Sequence, residues 1–336
     1  MTIDLPLIWA GLIAVAVLMY VILDGFDLGI GILFPAIRKP AHRDVMVNTV
    51  APFWDGNETW LVLGGGGLFA VFPLAYSLLM TAFYVPLIVM LLALIFRGVA
   101  FEFRFRDPRH TRLWDFSFMA GSIVATFAQG VVLGGFIGGI ETAGRAYTGG
   151  WYDWLTPFSL LTGLALVAGY GLLGACWLIM KTEGELQARA FHLAWPFFGA
   201  VLVAVAGVSL WTPLLHAEIA ARWFTWPNIA ILSPVPLLVA ALALALARAL
   251  RRRYEYQPFL IALGMFALSY IGLGISLFPS IVPPSVTIWD AAAPPVSQGF
   301  LLIGALVLLP VILGYTGYVY WIFRGKNRDG EGYHEH

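Results

Sequence analysis

The chain has 336 residues, of which 60% are apolar, 15% aromatic and only 11% charged. That charged share is less than half the roughly 25% usual in a soluble domain, which excludes a soluble globular enzyme. Nineteen Lys and Arg balance nineteen Asp and Glu, so there is no net basic field to hold a nucleic-acid backbone, and lipid and other membrane helices are the expected partners.

A helix that crosses a bilayer needs about 20 apolar residues, because the hydrocarbon is about 30 Å thick and the rise is about 1.5 Å per residue. The N-terminus carries Asp4 and no Lys or Arg before its apolar run. That makes a poor cleavable signal, so the run at about 7–36 reads as a retained first span. Further spans follow at about 52–74, 78–102, 115–140, 158–181, 194–216, 229–249, 257–279 and 297–323. Between Glu58 and Arg97 nothing is charged; as one helix this stretch would measure about 57 Å, nearly twice the hydrocarbon thickness. A hairpin at Phe72-Pro73-Leu74-Ala75-Tyr76-Ser77 divides it. The predicted fold class is an all-α polytopic membrane protein of about nine transmembrane helices, a single integral domain over 1–336.

Lys and Arg alternate between successive loops. Seventeen of the nineteen fall on one side, from Arg38, Lys39 and Arg43 through to Arg324, Lys326 and Arg328, and only Arg145 and Arg222 fall on the other. By the positive-inside rule this predicts the N-terminus outside and the C-terminus in the cytoplasm. The outward loops hold Trp151-Tyr152-Asp153-Trp154, Trp223 to Pro227 and Phe278 to Pro295, suited to an interfacial belt or a docking surface. No fixed-period repeat and no long linker is visible.

Glycines cluster at Gly64 to Gly67, Gly134-Gly135 and Gly138-Gly139. Small residues let helices approach closely in lipid, which favours a tightly packed bundle over a glycine-lined passage. No GxxxxGK[ST] or strand-flanked GxGxxG is present, so phosphate binding of that kind is not expected. Cys176 is the single cysteine, leaving neither a disulfide nor a cysteine metal site.

Ionisable residues inside spans are costly and commonly functional. Asp24 and Asp27 lie three apart in Asp24-Gly25-Phe26-Asp27-Leu28-Gly29, and so do Asp55 and Glu58 in Trp54-Asp55-Gly56-Asn57-Glu58-Thr59-Trp60. Arg97, Glu102 and Arg104 at the end of the third span supply counter-charges. Two readings stay open. One is structural: acids complementing a helix N-terminus, and an ion pair with Arg97 or a snorkelling Arg104. The other is a proton or cation path built from buried carboxylates tuned by a nearby Arg. Of the histidines, His42, His110, His192, His216, His334 and His336, none falls mid-span, so no haem is expected on this chain. His334-Glu335-His336 reads as no more than a weak metal scavenger. No nucleophile motif such as GxSxG occurs.

Asp24 to Gly29, then Asn48-Thr49-Val50-Ala51-Pro52-Phe53-Trp54 running on through Trp60, then Phe96-Arg97-Gly98-Val99-Ala100-Phe101-Glu102-Phe103-Arg104, closely resemble subunit II of cytochrome bd-type quinol oxidases. The likeness spans the chain and is nearest the cyanide-insensitive branch. It implies a nine-helix subunit of two four-helix bundles plus one peripheral helix, paired in the bacterial cytoplasmic (inner) membrane with a related subunit I. In that family subunit I carries the haems, haem b with haem d or a b-type variant, oxidises quinol and reduces O2 to water with cytoplasmic protons. Subunit II supports assembly and haem retention and contributes to a proton path. Carried over to this sequence, Asp55 beside Trp54 is the interfacial proton-path acid. Asp24, Asp27, Glu58, Arg97 and Glu102 join its polar cluster, and Trp54, Asn57 and Trp60 lie at the interface. A structural quinone is bound in this subunit in some members of the family; a bound lipid and a small accessory subunit are left open by the resemblance. A proton- or cation-coupled secondary transporter is the alternative, since inner-half carboxylates and glycine-broken helices also suit ion coupling.

Overall fold

The computed structural model describes residues 4–327; Arg328 and the His334-Glu335-His336 tail lie outside the described residues. The first helix, α1 (Leu5–Leu33), starts where the Asp4 carboxylate accepts from Leu7 N at 3.1 Å, with Pro6 in its first turn, and it runs into a short 3₁₀ turn, Phe34–Ala36. Then come α2 (Pro40–Asn48), α3 (Trp54–Val71), α4 (Pro73–Arg106) and α5 (Thr111–Gly138). A two-stranded hairpin, β1 (Thr142–Ala143) and β2 (Ala146–Tyr147), leads to α6 (Pro157–Lys181). The helix α6 is opened by reciprocal bonds between Thr156 and Ser159. Next are α7 (Gly184–Leu215), α8 (Ala217–Phe224), α9 (Asn228–Leu232), α10 (Pro234–Arg251) and α11 (Gln257–Leu277). A second hairpin, β3 (Ser280–Val282) with β4 (Val286–Thr287), precedes α12 (Ile288–Ala291) and α13 (Pro295–Ile322).

Among the described residues, eight helices are long and apolar enough to cross a membrane, which makes the chain an integral membrane protein. The second expected span, observed as α3, is not one of the eight. Its 18 residues open with Asp55, Asn57 and Glu58, so its first half is too polar for the count. The expected hairpin at 72–77 is tighter than drawn: Phe72 alone leaves helical geometry, and Pro73 starts α4. The helix α4 reaches 34 residues with a kink at Phe83, where Pro86 supplies no N–H to the preceding turn. The sixth span begins ten residues before the expected 194, because Gly184–Leu215 continues through Glu185, Gln187 and Arg189.

The helices α1, α3, α4 and α5 pack together as one four-helix group and α6, α7, α10 and α11 as another, joined where α6 crosses α1 and α5. The helix α13 lies outside, touching α1 and α3. The crossing of α1 and α6 is backbone against backbone. A Cβ on Gly29 would collide with the Tyr170 carbonyl and come within 2.8 Å of Gly174 N, so only glycine permits this approach.

The loops collect at two ends. At one, Arg43 pairs with Asp115 and Lys326 with Glu255, and Gln187 Nε2 donates to Glu255. At the other, Ile140 N donates to Pro283 O, Ala293 N to Val71 O, and Trp289 Nε1 to Asp4. The basic residues that alternate along the sequence therefore share one end.

Candidate functional site

Helix geometry turns residues 3 or 4 apart to one side. Asp24 and Asp27 of α1, Asn57 of α3 and Arg97 of α4 accordingly meet in the centre of the first bundle, each essentially sealed from solvent. Arg97 Nη1 donates at 2.8 Å to Asp24 Oδ1 and at 2.8 Å to Glu58 Oε1, while Nη2 stands 4.0 Å from Asp27 Oδ2. Asn57 Nδ2 donates to Asp27 Oδ2 at 2.7 Å, and the Tyr320 hydroxyl, arriving from α13, donates to Asn57 Oδ1 at 3.0 Å. The Arg97 guanidinium also sits 5.6 Å over the Phe101 ring, and Phe101 is covered by a Trp54 ring stacked at 4.9 Å.

Three carboxylates face one guanidinium. Fully ionised, the cluster would carry two uncompensated negative charges away from water, which is energetically prohibitive without counter-charge. Glu58 is the partly open member, its side chain being 24% exposed while those of Asp24, Asp27 and Arg97 are closed.

The structure brings Asp24, Asp27, Glu58 and Arg97 together as the sequence suggested, and separates two other candidates. Glu102 is exposed and pairs with Arg106 at 3.4 Å; five residues beyond Arg97 it points about 140° away around α4. Asp55 is exposed on α3 and forms no side-chain hydrogen bond or ion pair with described residues. Among the expected interface residues, Asn57 and Trp60 are buried inside this chain, Trp60 against Ala16 and Tyr20, and only Trp54 is half-exposed. The reason is the same rotation: residues 57 and 60 share the face of α3 opposite to Asp55. Arg104, seven residues past Arg97, makes a second cluster, with Asp44 at 2.7 Å and Asp115 at 2.7 Å. Sequence reasoning missed Tyr20, whose hydroxyl lies within electrostatic reach of Asp24 and Arg97, and Tyr320. It missed Asp44 and Asp115 as well.

The family model described as cytochrome bd terminal oxidase subunit II matches residues 5–323. The chain belongs to this family. Among relatives, it is 31% identical to the cytochrome bd-I ubiquinol oxidase subunit 2 of Escherichia coli (strain K12), over 96% of this chain and 95% of that one. It is 30% identical to the cytochrome bd ubiquinol oxidase subunit 2 of Bacillus subtilis (strain 168), over 95% and 96%. The bd oxidase structure from Geobacillus thermodenitrificans shares the fold, with a TM-score of 0.77 at 17% identity over 96% of this chain and 99% of that one. This subunit II chain is thus part of an oxidoreductase complex, and nothing found supports the carrier alternative.

The family is that of a haem-containing oxidase, and the histidines of the described residues lie near helix ends and loops. His110 Nδ1 bonds Asp107 at 2.8 Å, His216 Nε2 bonds the Ile137 carbonyl at 2.9 Å, and His42 and His192 lie on α2 and α7. Among the described residues, no three His, Cys, Asp or Glu come together as metal ligands.

Proposed function

We propose that this chain is the haem-free subunit of a quinol:O2 oxidoreductase of the bacterial inner membrane, pairing with a haem-bearing subunit I as a heterodimer of the cyanide-insensitive type. Its N-terminus is periplasmic and its C-terminus cytoplasmic, a reading supported by the gathering of basic loops at one end. The partner's haem b and haem d, or a b-type variant, supply the electron transfer to oxygen. This subunit supplies support for haem retention and a proton-holding site; a small accessory subunit and a bound quinone or lipid fit the same reading.

The observation that carries the proposal is the closed Asp24–Arg97–Glu58 contact with a single partly open member. Glu58 exchanges protons with the outer face of α3, where Asp55 lies one turn earlier at the basic end. Arg97 holds the Glu58 and Asp24 carboxylates at hydrogen-bond distance, and Asn57 orients Asp27. The Asp24 and Asp27 carboxylates are the groups that would accept a proton passed inward from Glu58.

The test is the purified complex carrying Glu58→Gln, and separately Asp55→Asn. Expected is a normal visible haem spectrum with quinol-driven oxygen uptake lowered at least tenfold in Glu58→Gln. Full oxygen uptake in both variants would remove the cluster and Asp55 from proton delivery.

A further inference from the structure

At the end of the second bundle opposite to most of its basic residues, α8, α9 and the C-terminal end of α11 enclose an open cleft of about 400 Å³. Its walls are Ile231, Leu232, Ile275 and Phe278, with two polar side chains, Arg222 and Asn228. Arg222 Nη1 donates to the carbonyls of Ile275 at 3.0 Å, Ser276 at 3.1 Å and Phe278. Ile275 and Ser276 lie in the last turn of α11 and Phe278 caps it, and the two hydrogens of one nitrogen are shared among the three carbonyls. The anchorage fixes the guanidinium in place. Its Nε and Nη2 bond no described residue, and Arg222 forms no ion pair among the described residues, not even with Glu218 one turn back on α8. The Asn228 amide likewise has no side-chain partner.

The level of this cleft in the bilayer follows from the helices around it. The span of α11 ends at Leu277 and the span of α9 and α10 starts at Asn228, so the cleft straddles the boundary where hydrocarbon gives way to headgroups. Trp223, whose Nε1 donates to Ser276 Oγ at 2.9 Å, and the exposed Phe224 and Trp226 follow Arg222 in sequence, a concentration of aromatic residues of the kind found at that depth. A fixed guanidinium with two unused donors matches a phosphate diester, and aliphatic walls opening to lipid match the first acyl carbons beneath it.

We propose that this cleft is a phospholipid site: Arg222 and Asn228 hold the phosphate, and Ile231, Leu232 and Ile275 line the start of an acyl chain. The site is independent of the ion cluster of the first bundle. A free inorganic anion shares the phosphate chemistry but has no use for the apolar walls, so the lipid is the occupant assigned.

The test uses the whole complex in phosphatidylcholine nanodiscs containing a small share of phosphatidylglycerol with a photoactivatable group near the glycerol. Cross-linked peptides are then identified by mass spectrometry. Expected is labelling of the peptides holding Ile231 and Ile275, lowered at least fivefold by Arg222→Gln, with any labelling of the exposed helix α13 unchanged. Ile231→Trp fills the cleft while leaving the Arg222 anchorage in place, and it lowers the same labels; it decides the matter should Arg222→Gln fail to assemble. Equal labelling of wild type and Ile231→Trp would overturn the proposal. So would loss of the wild-type label to inorganic phosphate but not to sodium chloride of equal ionic strength, which would mark a free-anion site.

Discussion

Arg97 is wholly closed off inside the first bundle, yet it donates at 2.8 Å to a Glu58 side chain that is 24% exposed. One guanidinium thus binds an interior carboxylate, Asp24, and a carboxylate with access to the outer face of α3. Replacing Arg97 with Gln removes the cation and leaves both acids facing each other. Breaking a buried pair by deleting one partner costs about 3–5 kcal/mol. The expected result is a sharp loss of assembled complex, partly restored when Asp24→Asn is added, measured by recovery and thermal midpoint of the purified oxidase.

Glu102→Gln behaves oppositely. Its pairing with Arg106 is between exposed side chains one turn apart, an arrangement worth about 0.3–0.5 kcal/mol. Oxygen uptake, haem content and thermal midpoint are expected to match the wild type. A loss of activity comparable to that of Glu58→Gln would return Glu102 to the proton path.

Gly29→Ala is expected to disrupt the seam between the bundles, since the added methyl meets backbone, the Tyr170 carbonyl and Gly174, and cannot be relieved by a rotamer change. Overpacking of this kind costs about 1–3 kcal/mol, more where backbone must move. Gly11→Ala, on the same helix with nothing within 4 Å, is the control and should be neutral or slightly stabilising. Thermal unfolding of the two variants in one detergent compares them directly.

Glu255 anchors the segment after α13. The Lys326 ammonium hydrogen-bonded to it at 2.7 Å, and next the Gln187 amide, hold its carboxyl below the usual range. A lowered value means that the charged form is favoured in the folded protein. The anchor is therefore fully present above the ordinary glutamate pKa of about 4.3 and is lost as pH falls through the lower folded value. At neutral pH it is intact, so Glu255→Gln should raise hydrogen exchange in residues 320–327 at pH 7. Unchanged exchange would show that the remaining ties, Lys181 to the Phe323 and Gly325 carbonyls and Lys326 to Glu183, suffice without Glu255.

Much of this was legible before the fold was seen, and the reasons are physical. Apolar length set the helices, and the alternation of Arg and Lys sorted the loops to two ends. Asp24, Asp27, Glu58 and Arg97 stood out because charge is rare in apolar runs. Glu102 was misjudged by proximity in sequence, where the 100° rotation per residue carries it away from Arg97 and brings Arg104 nearly back to the same side. Asn57 and Trp60 were placed at an interface although that rotation turns them inward. Tyr320 reaches Asn57 across 263 positions, and no local pattern marks one tyrosine among several on an apolar helix as the one that reaches a buried amide. The helices α2, α8, α9 and α12, of four to nine residues, are too short to show a period.

The seam at Gly29 and Gly174 also bears on how the two halves can move. A junction built of side chains accommodates small displacements by rotating them, so one half can shift while the other stays. Here peptide groups face peptide groups, with no torsion free to give way. A displacement of α6 passes directly to α1, the helix that carries Asp24 and Asp27. The bundle that holds the carboxylate cluster and its neighbour are in this respect coupled through one seam.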